Sequence, residues 1–201
     1  MKNRQRETNA RGQGGRLREE ILQAAAGLLE RSSRDAVTLR AIARAAGIAA
    51  PSIYPHFADR DAILDAVVSR AFETLGEHCA VAAAGAENGA ARVRAVAHAY
   101  AAFARERPGE YRLLFDRYPG NINPATPEYG SGRRAFQFLV DAIAEAAADG
   151  TGASADPMLD AQALWAALHG IHLLVPAMPG FPWRPIDEVV DHTITALAAL
   201  R

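Results

Sequence analysis

The sequence predicts an all-α protein made of a small N-terminal domain and a larger C-terminal helical bundle. Alanine, the strongest helix former, is abundant, β-branched residues are sparse, and no Val-, Ile- or Thr-rich alternating run occurs. Apolar residues instead recur every three or four positions, the spacing that places them on one face of a helix. With 50% hydrophobic and 22% charged residues among 201, the composition is that of a globular protein.

Start and stop signals predict four helices in the N-terminal part of the chain. A first helix runs from Leu17 to about residue 31, and Thr38 is a suitable N-cap for a short helix that Gly47 ends. A second short helix is predicted from about residue 49 to 55, with Pro51 in its first turn, where a missing N–H is harmless. Asp59 then caps a long fourth helix that frays around residues 82–90.

Five further helices and two long loops are predicted in the rest of the chain. Helices are expected over residues 90–107, 110–116, 133–149, 156–175 and 186–200, where apolar residues keep the helical period. Prolines, glycines and asparagines cluster at residues 118–132 and predict a long loop. A second, rigid loop is predicted at residues 176–185.

Composition also excludes several classes of protein. Cys79 is the single cysteine and cannot form an intramolecular disulfide, so no oxidising compartment is implied. The N-terminal segment is polar and basic, without the apolar core of a signal peptide, and no later stretch is apolar enough to span a bilayer. We therefore expect a cytoplasmic protein with no membrane partner.

Charge is divided unevenly along the chain. Residues 1–60 carry eleven Lys and Arg against six Asp and Glu, a balance of +5, which leaves −6 for residues 61–201 of the total of −1. A basic N-terminal third on a mildly acidic body indicates contact with a polyanion at one end. Residues 1–14 are predicted to be a disordered basic arm, with Arg4, Arg6 and Arg11, and Arg16 just beyond it, reaching phosphates or a minor groove.

Residues 38–57 have the pattern of a DNA-reading helix-turn-helix. Two short helices that cross need a small residue at the crossing, which Ala43 supplies, and a turn that tolerates positive φ, which Gly47 supplies. Ile53, six residues later, anchors the second helix. The small core of this motif is expected to be completed by Ile42, Ile48 and Phe57.

Residues 38–64 resemble the N-terminal domain of TetR-family transcriptional regulators. The resemblance rests on Gly47-Ile48, Ser52-Ile53-Tyr54, His56-Phe57 and the segment from Asp59 to Leu64, and it covers about residues 17–70. It implies that Thr38, Tyr54, His56 and Arg60 hold phosphates, while Ala50, Pro51, Ser52 and Pro55 face base edges in the major groove. Two positions depart from the family pattern: Ala49 replaces a capping hydroxyl, and Pro55 replaces a residue that commonly has a long side chain.

The base-facing positions offer Ser52 as their one hydrogen-bonding side chain, so the source of sequence specificity stays open. Methyl contacts from Ala50 and the prolines, contacts from Arg40 or Arg44, and DNA shape are three alternatives.

The C-terminal half resembles a TetR subgroup that carries a Trp…His-Gly motif. The resemblance rests on residues 110–115 and 163–170, the second of which contains Trp165, His169 and Gly170. Aromatic and histidine side chains there could line a ligand pocket or pack as core residues. The candidate pocket residues are Tyr100, Phe103, Tyr111, Phe115, Phe136, Trp165, His169 and His172. Gly170, in the middle of a helix, indicates close approach of another helix, within the chain or across a dimer interface.

Three other interpretations are weaker. His169 and His172 could present two metal ligands on one helix face, but no nearby Cys or carboxylate completes a set, so no metal is expected. An enzyme is not expected because nucleophile motifs and phosphate-binding glycine loops are missing, and no cofactor is predicted. A purely helical interaction module would not explain residues 54–57 after the Ala–Gly–Ile pattern.

The sequence therefore predicts a ligand-responsive transcriptional regulator with a helix-turn-helix domain over residues 15–60 and a helical ligand-binding and dimerisation domain over residues 61–201. One head reads one half-site, so a homodimer on a pseudo-palindromic, double-stranded operator is expected. The last two helices are expected to form the dimer contact. In the family that the chain resembles, a small-molecule effector usually releases repression, so a repressor is expected.

Overall fold

A computed structural model describes residues 14–115 and 127–201, and these residues are helical almost throughout. Their α-helices are α1 (Gly14–Leu29), α2 (Leu39–Ala46), α3 (Arg60–Ala84), α4 (Gly89–Glu106), α5 (Pro108–Phe115), α6 (Pro127–Asp149), α7 (Pro157–Ala177) and α8 (Ile186–Leu197). Two short 3₁₀ helices span Arg34–Ala36 and Ala50–Ile53. Within the described ranges, β-type backbone pairing is limited to one isolated antiparallel bridge between Gly152 and Leu200. The predicted all-α class is confirmed.

The chain packs into two compact units, Met1–Val67 and Val68–Arg201. Helix α3 begins in the first unit and continues into the second. The predicted basic arm, with Arg4, Arg6 and Arg11, lies outside the described residues apart from its last position. Arg16 lies inside α1, where its guanidinium pairs with the Glu20 carboxylate at 3.2 Å.

The first unit is built around apolar side chains from α1, α2, the second 3₁₀ helix and the start of α3. Helix α1 packs against α2, and α2 packs against the Ala50–Ile53 helix. The buried side chains of this core are Ile21, Leu22, Ala25, Leu29, Val37, Ile42, Ala43, Ile53, Phe57, Ile63, Leu64 and Val67.

Both ends of α2 are fixed by local signals that the sequence predicted. The Thr38 side-chain oxygen accepts from the backbone N–H of Ala41 at 3.2 Å, which caps the helix. Gly47 ends it with φ 67° and ψ 34°, the left-handed conformation that glycine adopts without a steric penalty. Asp59 likewise caps α3, because its carboxylate accepts from the Ala62 N–H at 2.8 Å.

The second short helix differs from the prediction of a helix over residues 49–55. It is a 3₁₀ helix, Ala50–Ile53, followed by turns in which the His56 N–H donates to the Ile53 carbonyl at 2.9 Å. Pro55 explains the difference. Pro55 has no N–H to donate to the Pro51 carbonyl, and in an α-helix its ring would clash with that carbonyl. The α-helical hydrogen-bond pattern therefore cannot continue as far as Pro55.

In the second unit, α4 is the central helix and packs against α5, α6, α7 and α8. Its start is held closely against the end of α6: a Cβ on Gly89 would lie 2.2 Å from the Ala146 nitrogen, so only glycine fits there. The Gly89 N–H donates to the Asp149 carboxylate at 2.6 Å, and the Ala90 N–H donates to the Thr151 hydroxyl at 3.0 Å. Hydrogen bonds from Thr151 and Gly89 lower the pKa of Asp149.

Two predicted boundaries need correction. The loop predicted at 118–132 is helical from Pro127, so α6 begins six residues before the predicted position 133; residues 116–126 lie outside the described part. Helix α6 places buried Ser131 next to Ser69 of α3, with the two hydroxyl oxygens 3.1 Å apart, and this tertiary contact outweighs the helix-breaking composition. Helix α7 also passes the predicted end at 175 and includes Pro176 in its last turn.

The prediction that no stretch is apolar enough to span a bilayer is wrong for α7. By length and composition α7 could cross one: it has 21 residues, and a stretch of 18 of them has a mean hydropathy of 1.2. Helix α7 packs against α4, α6 and α8, yet only 17% of its apolar stretch is buried in the described chain. A single such helix is weak support for a membrane span, and much of this apolar surface faces outward.

Candidate functional site

The predicted base-facing and phosphate-facing residues lie around the second 3₁₀ helix. Ile53 and Phe57 point into the core, whereas Tyr54 between them is 59% exposed. Pro51 and Pro55 are exposed, and Ala50, Ser52 and His56 are half-buried. This segment therefore presents a short, mainly apolar surface whose polar groups are the hydroxyls of Ser52 and Tyr54 and the imidazole of His56.

Helix α2 and the start of α3 supply the cationic side chains predicted for this surface. Arg40 and Arg44 are exposed on α2. The Arg60 guanidinium is held by the adjacent Asp61 carboxylate, at 2.9 Å from Nη2 and 3.1 Å from Nε, so a phosphate would have to share it. Thr38 is exposed, with its hydroxyl oxygen accepting from the backbone of α2. The contacts of all these residues with DNA stay predictions.

Arg18 of α1 is a residue that the sequence reasoning missed. Its guanidinium carbon lies 4.9 Å from the centre of the Phe57 ring, within the range of a cation–π contact. The contact joins α1 to the residue that ends the candidate reading segment. No sequence signal pairs the two, since they lie 39 positions apart and meet only through packing.

The second unit contains a cavity of about 460 Å³ between α3, α4, α5, α6 and α7. Its lining is mostly apolar and rich in aromatic rings. The lining residues are Phe72, Leu75, Cys79, Val96, Ala97, Tyr100, Leu114, Phe115, Gly132, Arg133, Ala135, Phe136, Leu139, Gln162, Trp165 and Leu168. Among these residues Arg133 carries the one charged side chain, and it is exposed.

The structure divides the eight predicted pocket residues into three groups. Tyr100, Phe115, Phe136 and Trp165 line the cavity. Tyr111, His169 and His172 contact Tyr100 from behind it. Phe103 belongs to neither group: its ring is fully buried and contacts the ring of His78, with centroids 5.9 Å apart, because it lies nearly two turns further along α4 than Val96 of the lining.

A hydrogen-bonded chain of three side chains begins at Tyr100 in the cavity wall, and we call it the Tyr–Tyr–His chain. The hydroxyl oxygens of Tyr100 and Tyr111 are 2.8 Å apart. The Tyr111 oxygen lies 2.6 Å from Nδ1 of His169, and the Tyr100 oxygen lies 3.3 Å from the same nitrogen. The chain therefore links α4, α5 and α7 through polar atoms among buried aromatic rings.

The geometry and two family comparisons point to one family. Residues 21–67 match the family model described as bacterial regulatory proteins of the tetR family. Residues 93–197, more than half of the chain, match the model of a tetracyclin repressor-like C-terminal domain. The chain belongs to the TetR family. It is a DNA-binding transcriptional regulator rather than an enzyme, and the N-terminal match covers the whole helix-turn-helix.

Relatives of this TetR-family chain span both of its units. An HTH-type transcriptional regulator of Mycobacterium tuberculosis is 31% identical over 158 residues, which cover 78% of this chain and 69% of that protein. A Rhodococcus sp. RHA1 protein of solved structure is 27% identical with a TM-score of 0.80, over 98% of this chain and 97% of that one. A TetR-family regulator from Marinobacter aquaeolei VT8, 16% identical with a TM-score of 0.73 over 96% and 100%, shares the fold.

Burial keeps the Tyr–Tyr–His chain uncharged near neutral pH. Desolvation raises the pKa of Tyr100 far above its ordinary value, and it raises the pKa of Tyr111 to about 12. Desolvation also lowers the pKa of His169, which favours the neutral imidazole. The hydroxyls and the ring nitrogen therefore act as neutral donors and acceptors.

His172 contacts the rings of the Tyr–Tyr–His chain but forms no hydrogen bond with it. Its ring centre is 6.4 Å from that of Tyr100 and 6.1 Å from that of Tyr111. Its Nε2 is buried and has no hydrogen-bond partner among residues 14–115 and 127–201. Desolvation lowers the pKa of His172, and electrostatic repulsion from Arg105 and from His169 lowers it further. In the same described ranges no three His, Cys, Asp or Glu side chains converge as a metal site would require.

Proposed function

We propose that this TetR-family regulator is a cytoplasmic repressor that binds a pseudo-palindromic operator as a homodimer and releases it when a small molecule enters the cavity. The observation that carries the DNA-binding part is the exposure of Tyr54. A large aromatic side chain that is 59% exposed gains little from packing, whereas its hydroxyl can donate to a phosphate.

The remaining contacts follow from the surface around Tyr54. Thr38 at the start of α2, His56 after the second 3₁₀ helix and Arg60 at the start of α3 are proposed to hold phosphates together with Tyr54. Ala50, Pro51, Ser52 and Pro55 are proposed to face base edges, and exposed Arg40 and Arg44 are proposed to add contacts from α2. Because few of these side chains can read bases by hydrogen bonds, DNA shape is proposed to contribute to specificity.

A homodimer is proposed because one head of this size reads only one half-site. The outward face of α7 and the segment after it carry large apolar side chains that are about half exposed: Leu173, Leu174, Met178 and Phe181. Gly170 lies on the same helix, and within the described chain nothing lies within 4 Å of the place where a Cβ would stand. A second copy of α7 and α8 packed there would cover this surface.

The cavity is proposed to hold the effector. Its volume of about 460 Å³ and its aromatic lining suit a small, mainly apolar molecule. Phe72, Leu75 and Cys79 of the lining belong to α3, whose first residue is Arg60. A ligand that displaces these side chains acts on the helix that begins at the DNA-binding segment, and it favours the form that does not bind DNA.

A mobility-shift assay with double-stranded DNA from upstream of the protein's own gene tests this proposal. We expect a retarded band whose affinity falls with salt. Arg44→Ala should weaken it and reduce the slope of log affinity against log salt by about 0.9 for each phosphate that is no longer neutralised. Arg94→Ala on α4 removes the same charge outside the proposed surface and should leave affinity and slope unchanged. A folded dimer that shifts no such DNA at low salt would contradict the proposal.

A further inference from the structure

The cavity wall carries a polar feature that an apolar pocket does not need. Tyr100 lines the cavity, and its hydroxyl is the end of the Tyr–Tyr–His chain, 2.8 Å from Tyr111, which in turn lies 2.6 Å from Nδ1 of His169. His169 is also the histidine of the Trp…His-Gly pattern, and Trp165 of the same pattern lines the cavity. The motif thus joins the apolar wall to the hydrogen-bonded chain.

The positions of the protons decide what Tyr100 can offer to a ligand. When Nδ1 of His169 is unprotonated, it accepts a hydrogen bond from the Tyr111 hydroxyl, and Tyr111 in turn accepts one from the Tyr100 hydroxyl. The Tyr100 oxygen then keeps a lone pair that can accept from a ligand hydroxyl. When Nδ1 carries the proton, His169 donates to Tyr111 and Tyr111 donates to Tyr100, so the Tyr100 O–H is available to a ligand carbonyl. The indole of Trp165 also hydrogen-bonds to Tyr100, and in either tautomer one further hydrogen-bonding place remains on the Tyr100 hydroxyl.

Charge restricts the ligand further. No member of the Tyr–Tyr–His chain is charged near neutral pH. Among the described lining residues of the cavity there is no carboxylate. Arg133 belongs to the lining but is exposed, so its guanidinium keeps much of its hydration. A charged group placed beside Tyr100 would lose its hydration without gaining a counter-charge, which is costly.

We propose that the Tyr–Tyr–His chain makes the cavity selective for uncharged, ring-containing molecules that carry a single hydroxyl or carbonyl oxygen, which hydrogen-bonds to Tyr100. Tyr100 is the specificity-determining residue, while Tyr111 and His169 are positioning residues that orient its hydroxyl. The body of the ligand packs among Phe72, Phe115, Phe136 and Trp165. This inference rests on the proposed effector cavity and adds the chemistry that the cavity recognises.

Three probes of the same shape test the inference on the full chain: 4-phenylphenol, biphenyl and biphenyl-4-carboxylate. Binding is measured by quenching of tryptophan fluorescence and by calorimetry. We expect 4-phenylphenol to bind about fivefold more tightly than biphenyl, as one net hydrogen bond would give. The carboxylate should bind most weakly.

Tyr100→Phe removes the hydroxyl and keeps the ring. It should abolish the preference for 4-phenylphenol while leaving the affinity for biphenyl unchanged, because Tyr111 and His169 still pair with each other. The matched control is Tyr54→Phe, the same change at an exposed tyrosine in the other unit, which should keep the full preference.

A second pair of variants tests the positioning role of His169. His169→Phe removes the ring nitrogen and should reduce the preference ratio, whereas His169→Asn places an amide near the position of Nδ1 and should retain most of it. The ratio of the two affinities is the readout, because a purely structural loss would weaken the binding of both probes alike.

The outcomes separate the two proposals. The role of the Tyr–Tyr–His chain is contradicted if 4-phenylphenol and biphenyl bind equally well, or if the preference for 4-phenylphenol survives Tyr100→Phe. Neither result contradicts the effector cavity. Tightest binding of the carboxylate overturns the uncharged class of ligand. If none of the three probes binds the folded chain, the effector cavity itself is contradicted.

Discussion

The ring of His172 lies among Tyr100, Tyr111 and His169, in surroundings that disfavour its charged form. Desolvation is the main reason that its pKa is below the ordinary 6.5, and the charge of Arg105 and His169 add to the effect. The unfolded chain binds a proton at the ordinary pKa, whereas the folded chain binds one only at lower pH. The stability from this residue is therefore present above pH 6.5 and is lost as the pH falls below it.

Replacing His172 with Phe should flatten the acid part of the stability profile. The free energy of unfolding, measured with urea at about pH 7.5 and about pH 5.5, should fall less between the two pH values in the variant than in the unchanged chain. His192→Gln, on an exposed face of α8, is the control and should leave the difference as it is. An unchanged difference in His172→Phe would show that the folded chain protonates this ring freely.

Single residues also show where sequence reasoning stops. Tyr100, Tyr111, His169 and His172 could be selected as pocket candidates because aromatic and imidazole side chains at helical spacing are visible in the sequence. Which of them meet could not be predicted, since Tyr100 is 11 positions from Tyr111 and 69 from His169. Those contacts depend on the packing of α4, α5 and α7. Phe103 is a pocket candidate for the same reason, but it lies further along α4 and outside the cavity lining.

At the level of elements, the features that could be predicted are the local ones. Thr38 and Gly47 bound α2 through hydrogen bonds and dihedral angles that involve neighbouring residues only, so the sequence contains the whole signal. The second short helix is predicted at the right place but ends at Ile53 instead of at about residue 55, because Pro55 has no N–H to continue it. The start of α6 was missed since it depends on the contact of Ser131 with Ser69, 62 positions away.

The turn after α2 gives a stability prediction for the reading segment. Gly47 has φ 67° and nothing within 4 Å of the place where a Cβ would stand, so Gly47→Ala costs only backbone strain, about 1 kcal/mol. We expect the unfolding free energy of the first unit, followed by urea unfolding, to fall by that amount, with weaker DNA binding because Ala50 to Tyr54 follow the turn.

Gly15→Ala is the matched control for this prediction. Gly15 lies in α1 of the same unit, has nothing within 4 Å of its Cβ position and has no positive φ, so alanine there should leave the stability unchanged or raise it by several tenths of a kcal/mol. Equal effects of the two substitutions would contradict the role given to the left-handed turn.

At the level of the whole molecule, the outward face of α7 matters most. Most helices of the second unit bury their apolar faces within the unit, yet Leu173 and Leu174 remain 48% and 49% exposed. Large apolar surfaces of this kind mark sites of association. A repressor that reads two half-sites needs such a contact, because the two heads must be held at a fixed separation.

Leu174→Arg should therefore separate the dimer and weaken operator binding together. The charge cannot be buried without a partner, so light scattering should give a mass near the 21.4 kDa of one chain instead of twice that value. Operator affinity should fall at least tenfold, because each head then binds its half-site alone. Val81→Arg places the same charge on α3 at an apolar residue 78% exposed and should change neither result, since Val81 is outside the proposed interface of α7 and α8. A Leu174→Arg chain that stays dimeric would move the interface away from α7, and a monomer that binds the operator at full affinity would separate dimerisation from DNA recognition.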